Sequence, residues 1–130
     1  MVNVPVARIL VIDDNPAIVD ILVTCLRGEG YGMLGAPTSD EGLKLVILSR
    51  PDLVLLDILM PGLNGVDVLK RIRSIAPTTK VIMVTGNGDL RLAREALELG
   101  ALAYIDKPFD LAYLKRVVAM ALRSETETTT

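Results

Sequence analysis

A short apolar run, a turn and a segment of helical period recur five times along the 130 residues, an alternation that points to strands and helices wound around a parallel sheet. The runs are Ile9 to Ile12, Gly32 to Ala36, Leu53 to Leu56, Val81 to Val84 and Ala103 to Ile105; the second, with two glycines, is the weakest. Apolar residues make up 51% of the chain, chiefly Leu, Val, Ile and Ala, with one Phe, three Tyr and no Trp. An aliphatic core of that kind suits strands buried on both faces. The five units share a hydrophobic pattern and no recurrent motif, so they are not sequence repeats.

The intervening segments carry helix signals. Asn15 is a candidate N-cap with Pro16 at the first helical position, and Ile18, Ile21, Leu22 and Cys25 follow at helical spacing. Cys25 therefore reads as a core residue. Thr38 and Glu41 match a capping box before Leu43, Val46 and Ile47, and Pro51 ends that helix. A third helix follows Asn64-Gly65 with Val68, Leu69 and Ile72 inward. A fourth uses Ala93, Ala96 and Leu97 and closes at Gly100; a fifth, capped by Asp110, turns Leu114, Val117, Val118 and Ala121 inward.

These elements place one domain at residues 8–123, after a short N-terminal extension at 1–7 and before a polar tail at 124–130, expected to be disordered or the start of a linker. The net charge of −2 gives no electrostatic reason to bind nucleic acid or an anionic membrane directly. A single cysteine excludes an internal disulfide, no apolar run approaches the roughly 20 residues of a membrane span, and Met1 to Ala7 lacks the pattern of a secretory signal. The expected compartment is the reducing cytoplasm.

Sites in an open parallel sheet lie beyond the carboxyl ends of the strands. The polar residues there are Asp13 and Asp14 after the first run, Asp57 after the third, Thr85 at the fourth and Lys107 after the fifth. Three carboxylates gathered in one pocket repel each other unless a cation joins them. Oxygen donors alone favour a hard ion such as Mg²⁺ over zinc, whose usual ligands are scarce in a chain with no histidine and one cysteine. A carboxylate, a divalent cation, an ammonium and a hydroxyl are together the equipment for phosphoryl transfer, with Asp57 as nucleophile. Gly86 leaves space and a backbone N–H beside the phosphoryl oxygens. Taken singly, each residue has an ordinary reading as a cap, a turn former or a solvated charge; the conjunction at four strand ends is what carries the chemistry.

Ile-Asp-Asp at 12–14, Leu-Asp-Ile-Leu-Met-Pro-Gly at 56–62, Val-Thr-Gly at 84–86 and Lys-Pro-Phe at 107–109 resemble the signature blocks of bacterial response-regulator receiver domains, and the resemblance runs from about Arg8 to Arg123. It implies a flavodoxin-like doubly wound α/β fold with strand order 2-1-3-4-5. It further implies that Asp57 accepts phosphate from a histidine kinase or a histidine phosphotransfer protein, as a switch and not as an enzyme acting on a separate substrate. Asp14, Asp57 and the backbone carbonyl of Leu59 would hold Mg²⁺ directly, with Asp13 acting mostly through water. Thr85 and Tyr104 correspond to the switch pair, Lys107 would bond the phosphate, and the Lys107–Pro108 bond would be cis.

By the same resemblance, Leu59 and Asn87 would occupy positions that tune how fast water removes the phosphate, and Gly86 stands where the family more often has alanine. The segment from Thr85 to Asp89 is similar to receivers of the nitrogen-regulation type, which are joined to an ATPase module that activates transcription. The expected output face is the fourth helix, fifth strand and fifth helix, with Arg91, Arg94, Glu95, Glu98, Asp106 and Arg116 exposed to pair across a homodimer or bind an effector. Two alternatives compete. A haloacid-dehalogenase-type phosphatase would need a carboxylate where Leu59 stands, and a degenerate protein-interaction module would have no use for the complete acceptor set.

Overall fold

The computed structural model describes residues 6–60, 64–86 and 90–128, with side chains through Arg123. Five strands, β1 (Arg8–Ile12), β2 (Gly32–Ala36), β3 (Leu53–Leu56), β4 (Lys80–Thr85) and β5 (Ala103–Asp106), alternate with five helices, α1 (Pro16–Arg27), α2 (Ser39–Ser49), α3 (Gly65–Ile75), α4 (Leu90–Glu98) and α5 (Leu111–Thr128). The strands form one sheet in the order β2-β1-β3-β4-β5, every pair parallel. This is the expected doubly wound, flavodoxin-like order.

Alternation along each strand divides the core in two. Leu10, Ile12, Val54, Leu56, Val81 and Met83 face α2, α3 and α4, where Val46, Leu69, Ile72 and Ala96 meet them. Ile9, Val11, Leu53, Leu55, Ile82 and Val84 face α1 and α5 through Leu22, Leu26, Leu114 and Val118. Most of these side chains are sealed from solvent, and each is worth about 1.5–3 kcal/mol of burial.

The helix starts follow their caps. Asn15 Oδ1 accepts from the Ala17 amide, Thr38 Oγ1 from Glu41, Asn64 Oδ1 from Asp67 and Asp110 Oδ1 from Ala112. α2 stops at Arg50, which takes the left-handed conformation at φ 47° just before Pro51.

Several inward assignments were off by a turn position. Ile21, Ile47 and Leu97 are exposed at 45%, 59% and 47%, and Cys25 is only half-buried and outside both core clusters. In α1 the inward stripe is instead Ile18, Val19, Leu22, Val23 and Leu26. The reason is that a helix against a twisted sheet edge buries a stripe whose centre the sheet sets, and apolar residues on the margin of that stripe have the same spacing as those inside it. The helical order also runs further than expected, through Thr128 instead of ending at Arg123. Nothing in that stretch breaks a helix already formed, and each added residue gains a backbone bond without a new nucleation cost.

One glycine shapes the loop that carries Asp57. A Cβ on Gly65 would lie 2.4 Å from the Ile58 Cα and 2.5 Å from the Asp57 carbonyl oxygen, both backbone atoms that cannot swing aside. The Gly65 amide bonds the Ile58 carbonyl at 2.6 Å, pinning the start of α3 against the end of β3. Gly65→Ala is therefore expected to destabilise the fold by about 1–3 kcal/mol, read as a lower denaturant midpoint with unchanged slope; an unchanged midpoint would show that this loop adapts freely.

Candidate functional site

The site assembles where β1 and β3 lie side by side although β2 separates them in sequence. The Asp57 amide bonds the Ile12 carbonyl at 3.0 Å, so the residues that follow β1 and β3 leave the sheet together. Asp13 and Asp57 are both buried, at 2% and 5% exposure, while Asp14 is exposed. One carboxylate oxygen from each of the three lies within 4.8 Å of the others.

Lys107 enters from the end of β5, its amide held by the Thr85 carbonyl at 2.8 Å and its bond to Pro108 cis, as expected. Its ammonium donates to Asp13 Oδ2 at 2.7 Å and to Asp57 Oδ2 at 3.3 Å. The remaining oxygens are held by the chain itself: the Asn15 amide donates to Asp13 Oδ1 at 2.9 Å and the Leu59 amide to Asp57 Oδ1 at 3.2 Å. Gly86 packs beside Lys107, and a Cβ there would sit 3.5 Å from the Lys107 Cβ.

Thr85 is fully buried, and its hydroxyl has no hydrogen-bond partner among the described residues. An unsatisfied buried hydroxyl costs about 1–3 kcal/mol, which a fold keeps where a ligand or a movement will satisfy it. Tyr104 pairs with Met83 across β4 and β5 and packs, half-buried, against the cluster under α3 and α4. The Leu59 side chain is 51% exposed. Asn87, together with Pro61 and Gly62 of the second motif block, lies outside the described residues.

Burial pushes the Asp57 carboxyl above its ordinary value, with Asp13 adding repulsion, against the lowering effects of the Leu59 amide and Lys107. For Lys107 burial works to lower the value, but the hydrogen bond and charge of Asp13, with those of Asp57, outweigh it and raise the ammonium above the usual lysine value. The charged form of Lys107 is thus favoured, while burial disfavours the ionised form of Asp57. The donor set fits a hard divalent cation: three convergent carboxylates, no nitrogen or sulfur ligand, and an unsatisfied hydroxyl in the adjoining strand.

Sequence reasoning named every one of these side chains but missed two features. It did not foresee that Asp13, more than Asp57, holds Lys107, nor that Gly65 closes on the acceptor's own backbone. The Asn64-Gly65 pair marked only a helix start, and neither contact has a local signal.

Because the folded-state value of Asp57 is raised, its contribution to stability is fully present below the ordinary carboxylate range and is lost as pH rises through the folded value. Asp57→Asn should therefore raise the melting temperature at neutral pH in metal-free buffer, and the gain should vanish on acidification below the usual carboxylate range. Circular-dichroism melts across pH with a chelator present measure it; a destabilised variant at neutral pH would contradict the sign.

A family profile described as response regulator receiver domain matches residues 9–119. Sporulation initiation phosphotransferase F of Bacillus subtilis is 39% identical over 111 residues, spanning 85% of this chain and 90% of the relative. The DNA-binding response regulator MtrA of Mycolicibacterium smegmatis is 40% identical over 92% of this chain, which spans only 53% of that relative. Among solved structures, a receiver domain protein from Clostridium thermocellum superposes with a TM-score of 0.89 at 35% identity, covering 95% of this chain and 99% of the other. NtrX from Brucella abortus gives 0.89 at 33% identity over 96% of this chain and 29% of its own. With the fold, the acidic edge and these relatives in agreement, the chain belongs to the response regulator receiver domains of two-component systems.

Proposed function

We propose that this chain is a Mg²⁺-dependent phosphoacceptor switch in the cytoplasm, phosphorylated on Asp57 by a histidine kinase or a histidine phosphotransfer protein. The observation that carries the reading is the Lys107 ammonium shared between the buried Asp13 and Asp57 at the edge where three carboxylates converge. A fixed positive charge in contact with a buried carboxylate nucleophile is an arrangement that stabilises charge spreading over phosphoryl oxygens.

Asp13, Asp14, Asp57 and the Leu59 carbonyl would hold the ion, which when bound supplies positive charge to the phosphoryl oxygens and offsets the repulsion among the carboxylates. An Asp57 carboxylate oxygen forms the new bond to phosphorus as the phosphorus–nitrogen bond of phosphohistidine breaks. The released imidazole keeps the electron pair. The Leu59 amide orients the Asp57 carboxylate, and Lys107 and the Gly86 amide contact the transferred group. The buried Thr85 hydroxyl, unsatisfied at rest, gains a partner by turning toward it, and Tyr104 responds across the strand pair by filling the space released.

Added charge at Asp57 then biases an equilibrium between two surfaces. The output surface is the α4-β5-α5 face, where Arg91, Arg94, Glu95, Glu98, Asp106 and Arg116 are all exposed, as expected from the sequence. Mixed charges of both signs there suit a self-complementary homodimer. No direct contact with nucleic acid or membrane is assigned to this chain, and no helix among the described residues is long and apolar enough to cross a bilayer. Output through transcription would fall to a further module, as the multi-domain lengths of MtrA and NtrX illustrate.

Incubation with acetyl phosphate and Mg²⁺ should add the mass of one phosphoryl group to the wild type and none to Asp57→Asn; modification independent of Asp57, or none at all, would favour the degenerate interaction module. For the output face, small-angle scattering with and without beryllofluoride and Mg²⁺ should show a monomer converting to a dimer, and loss of that shift in Arg94→Glu. An identical particle mass in both conditions removes the dimer.

A further inference from the structure

At the end of the sheet away from the acidic edge, where α2 and α3 finish and β1, β3 and β4 begin, lies a cleft of about 770 Å³. That volume falls within the roughly 300–1,000 Å³ of small-molecule sites. Val46, Pro51 and Thr79 form its base, all buried, and the Thr79 hydroxyl is already spent on the Pro51 carbonyl at 3.3 Å. Val6, Ile47 and Ile75 stand on its walls and remain 57%, 59% and 47% exposed. Aliphatic side chains that line a concavity and stay wet gain from an apolar body that fills it.

The charges around the cleft are unequal. Arg50 and Lys80 line it against one acid among the described lining residues, Asp52, whose Oδ2 accepts the Arg8 amide at 2.8 Å. Two guanidinium groups stand behind the wall, Arg8 donating to the Ser49 carbonyl and Arg73 to the Thr79 carbonyl at 3.2 Å. Those contacts, like that of the Lys80 ammonium with the Ala121 carbonyl at 2.6 Å, are to main-chain oxygens. Arg50 is exposed at the C-cap of α2, and no carboxylate among the described residues forms an ion pair with it.

We propose that this cleft is a second ligand site, for a small organic anion with an apolar ring or chain: Ile47 and Ile75 hold the body, and Arg50 pairs with the acidic group. A concavity of this size suits a small molecule better than a second copy or a lipid surface, whose broad contact would leave the base unfilled. The site draws on none of the residues around Asp57, so it stands or falls apart from the phosphoacceptor reading.

Two fluorescent dyes test this in the full chain: 8-anilinonaphthalene-1-sulfonate, and N-phenyl-1-naphthylamine, which has the same rings without the sulfonate. One sulfonated dye should bind per chain, about fivefold more tightly than the neutral one, as one partly exposed ion pair allows. Arg50→Gln should erase that difference and leave the neutral dye unchanged. Ile47→Gln should weaken both dyes, whereas Leu48→Gln, next to it on α2 and 79% exposed but outside the cleft, should weaken neither. In the wild type, which needs no variant to fold, the sulfonated dye should shift the amide resonances of Ile47, Asp52, Ile75 and Thr78 and leave those of Asp13 and Asp57 in place.

Equal affinity for the two dyes, several dyes per chain, or shifts scattered over α1 and α4 overturns the site. Binding seen only after removal of residues 1–5 would make the chain's own first residues the occupant, and affinity that falls as protein concentration rises would make it a second copy; either result overturns the small-ligand site.

Discussion

The repulsion among three carboxylates at one sheet edge is the constraint around which this molecule is built. Asp13 and Asp57 are held almost out of solvent, where an unpaired charge is costly, and the chain offsets that cost with one ammonium and two backbone amides. The compensation is partial. Burial still holds Asp57 above its ordinary value, so the ionised form of its carboxyl is disfavoured in the folded protein.

The fold makes that concentration of charge tolerable. Strands apolar on both faces, covered by α1 and α5 on one side and α2, α3 and α4 on the other, give a rigid platform whose strand ends cannot drift apart. The order β2-β1-β3-β4-β5 brings the ends of β1 and β3 together at the point where the winding reverses, so Asp13 and Asp57 meet there. β4 and β5 then deliver Thr85 and Lys107 from one side, tied by the bond between the Lys107 amide and the Thr85 carbonyl.

Much of this was visible in the residues. The five strands fall within a residue or two of the apolar runs, because a continuous apolar stretch bounded by turn residues has few other ways to be buried. The caps at Asn15, Thr38, Asn64 and Asp110 were equally plain, since a side chain bonding an amide two or three residues away is a local event. Ile21, Ile47 and Leu97 were misplaced because apolarity at helical spacing does not state where a buried stripe is centred; the sheet does. The continuation of α5 to Thr128 was missed for a related reason, as polar composition alone does not end a helix.

The sequence by itself determined which acids, which lysine and which hydroxyl stand at the strand ends, the set of groups on which the proposed metal and phosphoryl chemistry rests. Local spacing carries that information because strand, turn and cap are decided within a few residues. Only the tertiary structure decided that Lys107 rests closer to Asp13 than to Asp57, that the buried Thr85 hydroxyl has no partner among the described residues, and that Gly65 must lack a side chain. Each of those depends on how closely whole strands, helices and the loop after β3 approach one another, distances set by tertiary packing, for which no residue pattern along the chain encodes a separate sign.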